Sequence, residues 1–195
     1  MRLAKNSTAW ISVPIFLTAA LAALGSWYIS LLALAGSIFM IFFHRDPDRL
    51  PDGVGMVSPA DGRVIQVSGD RVTIFMGPSD VHVNRAPLDG VVLRTEYIKG
   101  GHFPAFLRAA SANQQNRIDL QTEDGEVEIR QITGTLVREI ICYVRPGDRV
   151  FRGERIGMIR FGSRVEVTLP SSYDLQVRLG DSVRAGKTVV AVKRP

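Results

Sequence analysis

The sequence predicts a mainly β domain, a compact sandwich or barrel-like unit with carrier-like half-repeats and one short helix, preceded by an N-terminal hydrophobic helical hairpin. Three observations predict it. No charged residue occurs from Asn6 to Phe43, and most of that stretch is apolar. Beyond it, short runs of alternating apolar and polar residues are separated by Gly, Pro, Asn and Asp, the pattern of strands joined by tight turns. Finally, VRPGDRVFRGERIGMI (144–159) returns as VRLGDSVRAGKTVVAV (177–192), sharing V-R-x-G-D-x-V-x-x-G at an offset of 33 residues.

As one helix, the apolar segment would run about 55 Å, against a hydrocarbon core of about 30 Å. Two shorter helices broken near Gly25-Ser26 fit better, giving an anchoring hairpin over residues 1–43 that spans or enters the bilayer. Arg2 and Lys5 precede it, and Arg45 and Arg49 follow. Basic residues at both ends place both in the cytoplasm, hence the domain after His44 on the cytoplasmic side of the cell membrane. The competing expectation is a signal peptide, MRLAK followed by an apolar run and ALAALGS. A second apolar run from Trp27 to Phe43 argues against it.

HRDPDRLPDG then links to the domain of residues 44–195. Strands are expected at 63–67, 71–76, 81–85, 91–98, 126–132, 136–144, 156–169 and 188–193. A helix is expected in HFPAFLRAASANQQN, after Pro104. The repeat suggests two interleaved halves, as in biotinyl and lipoyl carrier domains. No Met-Lys-Met-like hairpin accompanies it, so the repeat reads as architectural.

Composition excludes several chemistries. The single Cys142 leaves no internal disulfide framework and no CxxC metal site, and His44, His82 and His102 are too scattered for zinc. A net charge of +5, spread along the chain without a Lys/Arg run or stacking platform, argues against nucleic acid. It suits an anionic lipid surface.

Two stretches carry candidate chemistry. In GPSDVHVNRAP, Asp80, His82 and Asn84 alternate with valines and so share one strand face. That is either a solvated outer face or a histidine beside a carboxylate, the layout of an oriented proton-transfer group. In MIRFGSRVEVTLP, Gly162-Ser163 interrupts an alternating run, with Ser163 in phase with the apolar positions. A serine nucleophile needs a base within hydrogen-bond reach, and the spacing leaves open whether His82 reaches it. Asp61 in SPADG is by itself a turn signal.

FFHRDPDRLP after an apolar hairpin, VSPADGRVI, GPSDVHVNRAPLDG, NQQNR and GERIGMIRFGSRVEVTLP together resemble short-form phosphatidylserine decarboxylase proenzymes. The resemblance implies that Ser163 attacks the carbonyl of Gly162, cutting the chain into a β chain (1–162) and an α chain (163–195) that stay together as a heterodimer. Higher oligomers are left open. It also implies a pyruvoyl group made from Ser163 as the only cofactor, no metal, and decarboxylation of phosphatidylserine in the membrane to phosphatidylethanolamine. Long-form members have D-Y-H-x-x-H here. This chain keeps Asp80 and His82 but has Arg85 at the second histidine. Either His82 serves both steps, or Asp61 or Asp80 shares the work, and Arg85 is either an anion-binding residue for the phosphate or carboxylate or a surface arginine. Two other functions compete. A non-catalytic membrane-tethered adaptor predicts one intact chain. A pyruvoyl decarboxylase of another serine-headgroup lipid or of a soluble amino acid is the second, and the soluble case leaves the hairpin without a use.

Overall fold

The computed structural model describes residues 2–194, which divide into two compact units, one ending at Asp48 and one from Arg49 onward. In the first, α1 (Thr8–Ala23) and α2 (Trp27–Phe43) pack on one another, and the short strands β1 (Arg2–Leu3) and β2 (Arg45–Asp46) pair beneath them. The break falls at Leu24-Gly25-Ser26, where Gly25 has φ +75°. Thr18 and Ser37 share a hydroxyl hydrogen bond of 3.2 Å between the helices, and the Ser30 hydroxyl donates to the Thr18 carbonyl at 3.0 Å. Outward side chains such as Phe16, Tyr28 and Leu32 are apolar and exposed. No helix among the described residues is long and apolar enough to cross a membrane.

The second unit is all β apart from one 3₁₀ turn at Arg108–Ala112. Its strands are β3 (Met56–Val57), β4 (Gly62–Ser68), β5 (Arg71–Met76), β6 (Val83–Arg85), β7 (Gly90–Ile98), β8 (Gln115–Thr122), β9 (Gly125–Thr133), β10 (Ile140–Cys142), β11 (Arg149–Val150), β12 (Arg155–Ile159), β13 (Ser163–Thr168), β14 (Tyr173–Leu175), β15 (Ser182–Val183) and β16 (Val189–Lys193). Eight form one antiparallel sheet in the order β11-β7-β8-β9-β13-β5-β4-β15, flanked by sheets β10-β12-β6 and β14-β16-β3. Ile74, Met76, Ile118, Ile129, Ile159, Val165 and Val167 lie in the core.

The repeat explains how this sheet ends. Asp148 and Asp181 each accept a bond from the backbone N–H three residues upstream, at 2.8 Å. Gly147 and Gly180 adopt φ +92° and +93°, which glycine alone does cheaply. The turns then donate to Val92 and Val64, so that β11 caps one edge of the sheet and β15 the other. Gly153 and Gly186 close each half-repeat and touch one another, and so the sheet curls until its edge turns meet.

Three expectations need correction. The helix expected over 102–116 is only the 3₁₀ turn, and its end is already β8. The Asn113 side chain accepts from Phe103 N and donates to the Phe103 and Thr133 carbonyls, taking backbone groups a helix would use. The strand expected over 156–169 is two strands, β12 and β13, in different sheets. The strand expected over 136–144 shrinks to Ile140–Cys142.

Candidate active site

Arg160 to Gly162 carry the chain from β12 to β13. Phe161 and Gly162 have φ +55° and +62°. For a bulky residue such as Phe161 the left-handed conformation costs roughly 1–2 kcal/mol. Buried arginines fix both flanks. Arg160 is 1% exposed and ion-pairs with Glu139, while its N–H donates to the Glu139 carbonyl at 3.0 Å. Arg164 donates to Glu166 at 2.7 Å and to the Leu107 carbonyl at 2.9 Å. The strain is therefore confined to Phe161-Gly162.

Ser163 opens β13, paired with Met76 on one side and Thr133 on the other. It is fully buried, in phase with Val165 and Val167 as the alternation predicts, and its hydroxyl has no hydrogen-bond partner among the described residues. Gly134, just beyond Thr133, lies against the preceding carbonyl. A Cβ there would come within 2.9 Å of the Gly162 carbonyl carbon and overlap its oxygen.

His82 precedes β6 and is fully buried with Asn84, so the solvated-face alternative fails. Its backbone carbonyl accepts from Ile159 N at 3.3 Å, which sets it beside the last residue of β12. Asn84 donates to the sulfur of Met76, the strand partner of Ser163, at 3.6 Å, and accepts from Gln131 at 2.8 Å. His82 is thus bonded to the last residue of β12, and Asn84 to the strand partner of Ser163. His82 Nδ1 donates to the Asp80 carbonyl at 2.9 Å, which makes Nε2 the basic nitrogen. The Asp80 carboxylate instead accepts from Gly77 N at 2.7 Å, capping the turn before the histidine. Asp80 orients His82 through its backbone, a correction to the expected carboxylate–histidine pair.

Asp61 is held in a two-oxygen pair with Arg49, one bond measuring 2.7 Å, and accepts from Ala185 N at 2.8 Å. Asp61 and Asp80 both line a cleft of about 790 Å³ with Gly62, Phe75 and Gly77, and Arg63, Arg184 and Lys187 line it too. Phe75 and Gly77 of the cleft thus flank Met76, the strand partner of Ser163. Arg85 is not a surface arginine. It is 3% exposed and donates to the Gly153 carbonyl at 2.8 Å, bracing the turn where the half-repeats meet.

Sequence reasoning missed Gly134, Arg49 and the arginine pair. Arg160 and Arg164 stand two residues either side of Gly162, a symmetry visible in IRFGSR. Gly134 and Arg49 gave no signal, since each acts on residues far away in the chain.

The family model for phosphatidylserine decarboxylase matches residues 37–191. A protein of Methanococcoides burtonii with the provisional name archaetidylserine decarboxylase proenzyme is 44% identical, covering 98% of this chain and 97% of its own. The phosphatidylserine decarboxylase proenzyme of Streptomyces griseus is 40% identical, over 96% of this chain and 92% of its own. That of Thermobifida fusca is 42% identical over 96% and 91%. These matches make the chain an enzyme, a decarboxylase of the kind made as a proenzyme. It belongs to the phosphatidylserine decarboxylase family.

Proposed function

We propose that the chain cuts itself between Gly162 and Ser163, and that its new N-terminus becomes a pyruvoyl group that decarboxylates phosphatidylserine to phosphatidylethanolamine. The observation that carries this reading is the junction itself, a left-handed Phe161-Gly162 followed by a buried hydroxyl without a partner among the described residues. Leaving such a group unsatisfied costs about 1–3 kcal/mol, which argues for use rather than packing.

Ser163 Oγ attacks the Gly162 carbonyl carbon and the amide C–N bond breaks, leaving an ester. Loss of the Ser163 Cα proton with breakage of the Cβ–Oγ bond frees the Gly162 carboxylate, and water then replaces ammonia to give the pyruvoyl ketone. His82 moves the protons through Nε2, with Asp80 as its positioning residue. A pyruvoyl group held at the position of Ser163 would supply the electron sink that decarboxylation needs. Arg63, Arg184 and Lys187 give the cleft cationic groups for the anionic headgroup, and Asp61, neutralised by Arg49, holds its wall. Arg85, committed to Gly153, is assigned a bracing role in place of headgroup binding.

After the cut, residues 163–195 stay bound to 1–162 as a heterodimer, because β13 lies between β9 and β5, β15 pairs with β4 and β16 with β3. The enzyme works at the cell membrane, on its cytoplasmic side by the positive-inside pattern of Arg2, Lys5, Arg45 and Arg49. The similarity to the Methanococcoides protein favours a second substrate, the ether lipid archaetidylserine. Purified protein should run as two chains under denaturing conditions, the smaller one lighter than a hydrolysis product by one ammonia and blocked at its N-terminus. Ser163→Ala should stay whole. A wild-type protein that stays whole yet releases carbon dioxide from phosphatidylserine sinks the pyruvoyl assignment.

A further inference from the structure

The segment that should have been a helix leaves large apolar side chains in solvent. Phe103, Phe106 and Leu107 are 48%, 61% and 43% exposed, and Leu136, on the turn after β9, is 82% exposed. Scattered exposed leucines need no explanation, but these four belong to one surface. Asn113 ties Phe103 to Thr133, Ala105 lies against Gly134, and the Gln114 amide donates to the Arg138 carbonyl.

The charge around them has one sign. Lys99, Arg108 and Arg138 are exposed and form no ion pair among the described residues. No acidic residue occurs from 97 to 118. The nearest one on the other turn, Glu139, is taken by Arg160. An apolar tip with an unneutralised basic rim fits the interface of an anionic bilayer, where rings and aliphatic chains enter the acyl boundary and cations meet headgroups. A protein partner would be expected to bring acidic residues to three fixed cations, whereas a bilayer supplies diffuse negative charge.

The patch also adjoins the reaction centre. Arg164 donates to the Leu107 carbonyl, Gly134 lies on the Gly162 carbonyl, and the Phe106 ring packs edge-on against Phe75 of the cleft, centroids 6.1 Å apart. We propose that Phe103, Phe106, Leu107 and Leu136, rimmed by Lys99, Arg108 and Arg138, form a membrane-docking surface of the β domain itself, separate from the N-terminal hairpin. It inserts beside the cleft so that a headgroup passes from bilayer to cleft without crossing water. This rests on the lipid decarboxylase reading for its purpose, and its test does not depend on turnover.

In a Cys142→Ser background, the full chain carries an environment-sensitive fluorophore on Phe106→Cys, Leu136→Cys or, as control, Leu179→Cys. Leu179 is 70% exposed on the Gly180 turn, which bonds to Val64 of β4. Each protein is placed in vesicles of equal parts phosphatidylglycerol and phosphatidylcholine, with and without brominated acyl chains. Blue-shifted emission quenched by brominated lipid is expected at 106 and 136 and neither effect at 179. Water-like, unquenched emission at both patch positions overturns the proposal. So does a blue shift that brominated lipid does not quench and that grows with protein concentration, which is a second copy covering the patch. Carbon dioxide release by the same proteins in matched vesicles that also contain phosphatidylserine separates failure of docking from failure of the decarboxylase reading.

Discussion

Gly134→Ala tests whether the Gly162 carbonyl is held for attack by its neighbours. Gly134 does not have a positive φ, so alanine meets no backbone penalty there. The cost is steric and falls on one group. The new Cβ would lie 2.9 Å from the Gly162 carbonyl carbon and closer to its oxygen, with the Ala105 Cβ at 3.4 Å closing the other side. To bring that oxygen out to the 3.0 Å that real Cβ atoms respect, the carbonyl must retreat by roughly 1 Å. A displacement of that size at a reacting centre costs on the order of 100-fold in rate. Self-cleavage of Gly134→Ala, followed as the intact fraction over time on a denaturing gel, should therefore slow about 100-fold. Circular dichroism and the melting temperature of the uncut protein, compared with those of Ser163→Ala, separate this from misfolding. A folded Gly134→Ala that matures at the wild-type rate refutes the reasoning, because it would mean that the carbonyl has room to move without consequence.

His82→Ala should slow cleavage, decarboxylation or both by about 10² to 10⁴-fold, whereas His102→Ala, at an exposed loop residue, should keep most of each. Turnover must be counted per matured chain, and near wild-type rates in His82→Ala would pass the proton transfer to another group. Asp61→Asn should destabilise the domain by about 3 kcal/mol, since it strands a largely enclosed Arg49, as a lower denaturant midpoint would show. Unchanged stability with reduced turnover would instead make Asp61 a catalytic residue. Tyr173 donates to Asp124 at 2.8 Å and joins the segment after the cut to the one before it. Burial, and then that hydrogen bond, push its phenol up to about 12. The neutral phenol is the form the fold favours, so its stabilisation is complete below the ordinary value of 10.0 and is lost as pH rises from there to about 12. Tyr173→Phe should cost about 1 kcal/mol at neutral pH and should flatten the fall in stability across that alkaline window. An identical alkaline profile in the variant would assign the loss to other groups.

Much of the domain was legible because its information is local. Alternation marked β5 at its observed ends and β4, β7, β9 and β16 within a residue at each end, since a strand buried on one face must place apolar side chains every second residue. The half-repeat was legible as architecture, because each turn is built from its own Gly and Asp. The uncharged stretch announced two helices, and the glycine between them set their break. Ser163 could be singled out because its phase relative to Val165 and Val167 is counted along the chain. What the tertiary structure decided is everything that depends on a partner distant in sequence. Alternation runs through Arg160-Phe161-Gly162 as if β12 and β13 were one strand, and only the pairing of β12 with β6 and of β13 with β5 and β9 requires the reversal between them. HFPAFLRAASANQQN has helical composition, yet Asn113 bonds to Phe103 and Thr133 and holds it open. Asp80 looked like a carboxylate partner for His82 and is a turn cap, because Gly77 N lies closer to hand. Arg85 read as either an anion-binding residue or a surface arginine and is a brace, because the halves of the repeat meet beside it. Gly134 is an ordinary glycine in the chain and a wall of the reaction site in the fold, since steric contact depends on distance in space and not on separation in sequence.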